Sequence, residues 1–113
     1  MTAAHELGRR GERAAAEHYE RLGYVVHRNW RGQRGELDLV CTQDDLAIFC
    51  EVKTRSSERF GRGAEAVDGR KQQTIRRLAA QWLAQQPRSY RDLRFDVVEV
   101  DARGHLRIHE GCF

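Results

Sequence analysis

The stretch GELDLVCTQDDLAIFCEVKTR, residues 35–55, constrains this chain more than any other segment. It alternates apolar and polar residues on either side of Asp44 and Asp45, the pattern of two half-buried strands joined by a tight turn. A turn of even length centred there makes Asp38 face Glu51 and Glu36 face Lys53. Side chains alternate with period two, so these four project from one face. Leu37, Leu39, Cys41, Leu46, Ile48, Cys50 and Val52 form the other face, expected to be the packed one. Two carboxylates directly opposite each other repel and weaken a sheet unless something positive sits between them. Mg²⁺ suits that place, because it takes oxygen ligands from one or two carboxylates and completes its shell with water and phosphate oxygens. Lys53 would then hold an attacking water or balance the charge that develops on a phosphate.

The flanking segments supply a single α/β domain spanning residues 1–113. Residues 3–22 read as an amphipathic helix with Leu7, Gly11, Ala14, Ala15, His18, Tyr19 and Leu22 on its apolar face, ended by Gly23. Glu12 lies roughly 80° from the centre of that face, and Glu6, Glu17 and Glu20 lie about 140–160° away. Glu12 is therefore the acid of this helix placed to reach inward. A strand over 24–31 precedes the turn GQRG and the two hairpin strands, 36–42 and 46–55. SSERFGRG, residues 56–63, reads as a loop, and a helix over about 64–86 carries Ile75, Leu78, Ala79, Trp82 and Leu83 as its stripe before Pro87. Strands at 93–100 and 105–109 complete the order α-β-β-β-α-β-β, a mixed sheet of about five strands flanked by helices.

Composition narrows the class. No run approaches the roughly 18–20 apolar residues of a membrane span, and MTAAHELGRR lacks the apolar core of a secretory signal, so a cytoplasmic protein with no membrane role is expected. Cys41, Cys50 and Cys112 show no C-x-x-C spacing and read as reduced small hydrophobes. The net charge of +3 is a mild pointer to an anionic partner. Eighteen of the 20 basic residues are Arg, and the two exceptions are Lys53 and Lys71. A compact ammonium beside a single oxygen is a role the planar guanidinium fork does not fill.

E-x-K alone is a weak signal, and alternating charges on a strand also describe a solvated face. An Asp, then E-x-K on the same predicted face about a dozen residues later, with a helix Glu in reach, is more specific. At these residues the chain resembles the PD-(D/E)XK nuclease superfamily, with Leu37 standing where the superfamily has Pro. More closely, it resembles the YraN-like family of predicted endonucleases. The resembling segments are GERAAAEHYERLGYVVHRNWR, GELDLV, FCEVKTR, FGRGAEAVDGRKQQTIRRLAAQWL and RFDVVEV, which together cover most of the chain. The resemblance implies a restriction-endonuclease-like fold, Asp38 and Glu51 as metal ligands, Lys53 as the catalytic lysine and Glu12 as an accessory ligand or water-orienting group. It also implies Mg²⁺ as cofactor, with Mn²⁺ as a substitute, and hydrolysis of DNA phosphodiester bonds, as in the related Holliday-junction resolvases.

Glu36 is a further accessory candidate. Arg34, Arg55, Arg59, Arg62 and Lys71 are candidates for phosphate contacts, joined by Arg28, Arg31, Arg70, Arg76 and Arg77. Trp30 would stack on an exposed base and Trp82 belongs to the core. The FGRG loop reads as a connector, His18 as an interior histidine, and His105 and His109 as exposed edge residues. So small a chain has little surface for reading base sequence, which favours branched or partly single-stranded DNA. Symmetric cutting of two strands would call for a homodimer. The alternatives are a nucleic-acid-binding or adaptor protein on the same fold, and a nuclease acting on RNA.

Overall fold

The structure is a computed structural model that describes residues 2–57, 59, 60 and 67–113. Its elements follow the expected order: α1 (Ala3–Arg21), β1 (Val25–Gly32), β2 (Gly35–Gln43), β3 (Leu46–Thr54), α2 (Gly69–Ala84), β4 (Asp92–Val100) and β5 (Leu106–His109). The sheet runs β1-β2-β3-β4-β5. Among the described residues, only β3 and β4 pair in parallel, because α2 carries the chain back between them. The start of the second helix and the FGRG loop, each expected partly within residues 61–66, lie outside the described residues.

Thr2 caps α1 by accepting the N–H of His5 at 3.2 Å. Gly23, at φ +93°, closes the helix while Tyr24 N–H bonds to the Tyr19 carbonyl at 3.1 Å. Asp68 caps α2, accepting from Lys71 N–H at 2.8 Å. In the hairpin, Asp44 at φ +52° and Asp45 form the expected two-residue turn, so Leu39 opposes Cys50 and Cys41 opposes Ile48.

Both faces of the sheet are packed, where one was expected. Val40, Ala47, Phe49, Phe95 and Val97 meet Ile75, Leu78, Ala79 and Trp82 of α2. Leu39, Cys41, Ile48, Cys50, Val98 and Val100 meet Ala15, Ala16 and Tyr19 of α1. A parallel crossover places helices on both sides, so central strands read as near-continuous apolar runs. Gly11 lets α1 approach β3 closely, since a Cβ there would collide with Thr54. Leu22 does not join the core: it follows the last helical residue and is 56% exposed.

Polar staples fix these layers. The buried Asp96 carboxylate accepts from Tyr19 Oη at 2.8 Å, from Arg94 Nε and Nη2 at 2.9 Å each, and from Gly111 N–H at 3.0 Å. Burial, with Cys50 and the Asp96 carboxylate beside it, drives the Tyr19 phenol far above its ordinary range, so it stays a donor. Cys112 N–H bonds to the Phe95 carbonyl at 2.7 Å, docking the C-terminal segment. No helix among the described residues is long and apolar enough to cross a membrane.

Candidate active site

The site begins where regular pairing stops. The β1–β2 ladder runs from Val25 opposite Thr42 to Gly32 opposite Gly35, but skips Asn29 and Asp38. The β2–β3 ladder ends at Leu39 opposite Cys50, so the expected ladder pairs Asp38–Glu51 and Glu36–Lys53 are not made. Asn29 takes φ +53°, a left-handed conformation unusual inside a strand. The alternation breaks here too. Leu37 packs with Val40 in the α2 cluster instead of with Leu39 and Cys41, correcting the face assigned to it by strict period two.

Asp38 turns into the resulting split, where its Oδ2 accepts the Val52 N–H at 2.9 Å. The side chain thus replaces a ladder bond that a backbone carbonyl would have made. Its carboxyl also interacts with that of Glu51, an interaction that favours the charged form of Asp38 and the protonated form of Glu51. Burial and the Asp38 charge push Glu51 up to about 7. Burial likewise raises Asp38, against the Val52 hydrogen bond that favours its charged form. Glu12 reaches the same cluster from α1: burial and the charge of Asp38 raise its pKa, and a hydrogen bond from Asn29 opposes the rise. Glu6, Glu17 and Glu20 remain exposed, as helical geometry required.

Lys53 lies two residues beyond Glu51 on a regular part of β3 and therefore on the same face, half-buried. Lys71, expected on a phosphate-contacting surface, comes instead to the carboxylates, with Nζ 3.5 Å from Glu51 Oε1. One lysine of the chain thus pairs with Glu51, and the other lies on the same face of β3. Glu36 stays at the rim and pairs with Arg31 at 3.4 Å.

The arginines divide. Arg28, Arg34 and Arg59 are exposed, and Arg62 lies outside the described residues. Arg55 Nε binds Glu99 Oε2 at 3.0 Å. Arg76 stacks 4.6 Å above the Phe95 ring, and Arg77 donates to the Gln33 and Arg34 carbonyls at 2.6 and 3.3 Å, tying the β1–β2 turn to α2. Trp30 is half-buried against the α2 cluster, and Trp82 is in the core as expected. His18 is half-buried, edge-on to Tyr19. His109 is not an exposed edge residue: its Nε2 lies 2.8 Å from Glu99 Oε1, and His105 pairs at 3.2 Å with Asp101. Asn29 and Glu99 escaped the sequence reading. Their signals were an Asn inside a strand and an acid among the valines of the run VVEV.

Asp38 and Glu51 fit a divalent cation by the chemistry of their donors: two adjacent hard oxygen ligands, in surroundings that penalise their double negative charge. Among the described residues, no three His, Cys, Asp or Glu side chains gather closely enough to hold a metal by themselves. Such a pair leaves the rest of a coordination shell to water and substrate oxygens.

Comparison with known proteins places the chain among relatives of undetermined function. The model of "Uncharacterised protein family UPF0102" matches residues 11–100. A UPF0102 protein of Frankia casuarinae is 52% identical over 111 residues, covering 96% of this chain and 94% of that one. One of Frankia alni is 54% identical over 101 residues, covering 88% and 84%. One of Mycolicibacterium vanbaalenii is 46% identical over 106 residues, covering 93% and 87%.

Proposed function

The chain belongs to uncharacterised protein family UPF0102, and from that premise we propose that it is a cytoplasmic, metal-dependent endonuclease that hydrolyses DNA phosphodiester bonds. The observation that carries this reading is the Asp38–Glu51 carboxyl pair in the split between β2 and β3, with Lys53 on the same face. The resemblance to PD-(D/E)XK nucleases, with their restriction-endonuclease-like fold, assigns the same three residues.

Asp38 and Glu51 would hold Mg²⁺ or Mn²⁺, which when bound polarises a phosphoryl oxygen and lowers the pKa of a coordinated water. Lys53 orients the water and balances the negative charge that accumulates as the water oxygen bonds to phosphorus. The opposite P–O bond breaks, and the departing oxygen takes up a proton from solvent. Glu12, hydrogen-bonded by Asn29 and near Asp38, receives a proton from the water side. The exposed Arg28, Arg34 and Arg59 bind the backbone on either side of the cut. Branched or partly single-stranded DNA is the preferred class, because one small domain offers phosphate contacts and little base readout. A homodimer would cut two strands symmetrically.

A second reading, a nucleic-acid-binding or adaptor protein on the same fold, draws on the absence of a three-residue metal cluster among the described residues. Cleavage separates the two. Labelled single-stranded, duplex, forked and four-way DNA, with RNA counterparts, is incubated with Mg²⁺ or Mn²⁺. Metal-dependent products from a DNA substrate support the nuclease; binding without products supports the second reading.

A further inference from the structure

Lys71 stands in the first turn of α2, where Asp68 accepts its backbone N–H at 2.8 Å and fixes the start of the helix. Its ammonium extends over the carboxylate pair, 3.5 Å from Glu51 Oε1, and its charge favours the ionised form of both Glu51 and Asp38. The Glu51 side chain is 10% exposed, whereas that of Lys71 is 46% exposed. One partner is therefore anchored and the other is free to leave into solvent.

This pair differs from the ion pairs made to the fully buried acids of the sheet. Arg94 grips Asp96 with two nitrogens at 2.9 Å, and Arg55 holds the fully buried Glu99 at 3.0 Å. Those are directional, guanidinium-based and structural. The contact at Glu51 is longer and made by one of only two lysines among 20 basic residues. A guanidinium would clamp a carboxylate through two parallel hydrogen bonds, whereas an ammonium is a strongly hydrated point charge on a flexible stem.

We infer that Lys71 is a displaceable counterion. It occupies the cation position of the Asp38–Glu51 pair while that position lacks a metal, and a divalent ion entering the site releases it toward the substrate phosphate. No bond is made or broken: one cation exchanges for another, and the released ammonium is placed to meet the phosphate that the metal recruits. The inference rests on the assignment of Asp38 and Glu51 as ligands, and it makes Lys71 a positioning residue for metal and substrate.

The test is Mn²⁺ binding to the full chain, read from the free-ion electron paramagnetic resonance signal, for wild type, Lys71→Met and Lys71→Arg. Lys71→Met keeps the aliphatic stem and removes the competing charge, so Mn²⁺ should bind roughly fivefold more tightly, the scale of a partly exposed ion pair. Lys71→Arg should bind Mn²⁺ more weakly than wild type, because the fork resists displacement. The opposite signs protect the test from a general loss of packing, and circular dichroism verifies that each variant is folded. Equal Mn²⁺ affinity in all three chains, or weaker binding by folded Lys71→Met, overturns the inference; if wild type still cleaves DNA, the nuclease reading survives that failure. Tighter binding by Lys71→Met in a chain that cleaves no nucleic acid supports the counterion role and removes the nuclease reading instead.

Discussion

Asp38 Oδ2 accepts the backbone N–H of Val52 at 2.9 Å, so a side chain of β2 makes the bond to β3 that its main chain no longer makes. The residue assigned to hold a metal therefore also closes the sheet. Asp38→Ala should leave that N–H without its partner and cost about 1–3 kcal/mol, whereas Asp38→Asn, whose amide oxygen still accepts, should cost less. Urea unfolding of the two variants separates the structural part from the ligand part, since both lose the carboxylate charge.

Acidity should stabilise the metal-free chain. Glu51 has a folded-state pKa of about 7, above its ordinary 4.5, because burial and the Asp38 charge oppose its ionisation. Between those values the folded chain keeps a proton that the unfolded chain has released, so stability falls as pH rises through this window and levels off above it. The raised pKa of Asp38 acts in the same direction. Glu51→Gln should flatten the dependence in urea titrations between pH 4.5 and 8, the interval that brackets the ordinary and the raised pKa of Glu51. Saturating Mg²⁺ should flatten it in wild type as well.

Asn29, at φ +53°, sits opposite Asp38 at the gap in the ladder and hydrogen-bonds Glu12. Asn29→Gly should preserve the fold while freeing Glu12, whereas Asn29→Val should destabilise by about 1–3 kcal/mol, because a β-branched residue resists the left-handed region. Thermal midpoints compared with Mn²⁺ affinity would show whether the backbone turn or the amide matters to the site.

Asp96 is buried beneath Tyr19, Arg94 and Gly111, each bonded to it within 3.0 Å. Asp96→Ala should cost about 3–5 kcal/mol by removing the acceptor that Tyr19, Arg94 and Gly111 share and leaving Arg94 only its longer contact with Glu110 at 3.7 Å. Tyr19→Phe removes one hydrogen bond and should cost about 1–2 kcal/mol. Denaturant midpoints read both, and neither change should alter which cation the carboxylate pair prefers.

The order of elements and the inward placement of Glu12 were legible because they depend on local spacing: helical period, an even Asp44-Asp45 turn and Gly23 at a helix end. Other features required the assembled sheet. Leu37 changed sides because Asn29 and Asp38 leave the ladder, an event with no signature in period two. Lys71 reached Glu51 only because the crossover lays α2 on the face of Phe49 and Val97. His109 and Arg55 turned inward because Glu99, an acid amid Val97, Val98 and Val100, needs partners once buried. The scarcity of lysine was readable at the outset, and it marked Lys71, which pairs with Glu51, and Lys53, which lies on the same face of β3.

The most direct test of the central claim is single-turnover cleavage of a forked, end-labelled DNA by wild type and Lys53→Met, with Mn²⁺ binding measured on the same preparations. The account predicts metal-dependent products from wild type, and loss of at least about a hundredfold in rate for Lys53→Met with Mn²⁺ still bound. Equal cleavage by the two chains, or no cleavage by folded wild type that binds both Mn²⁺ and the fork, would contradict it.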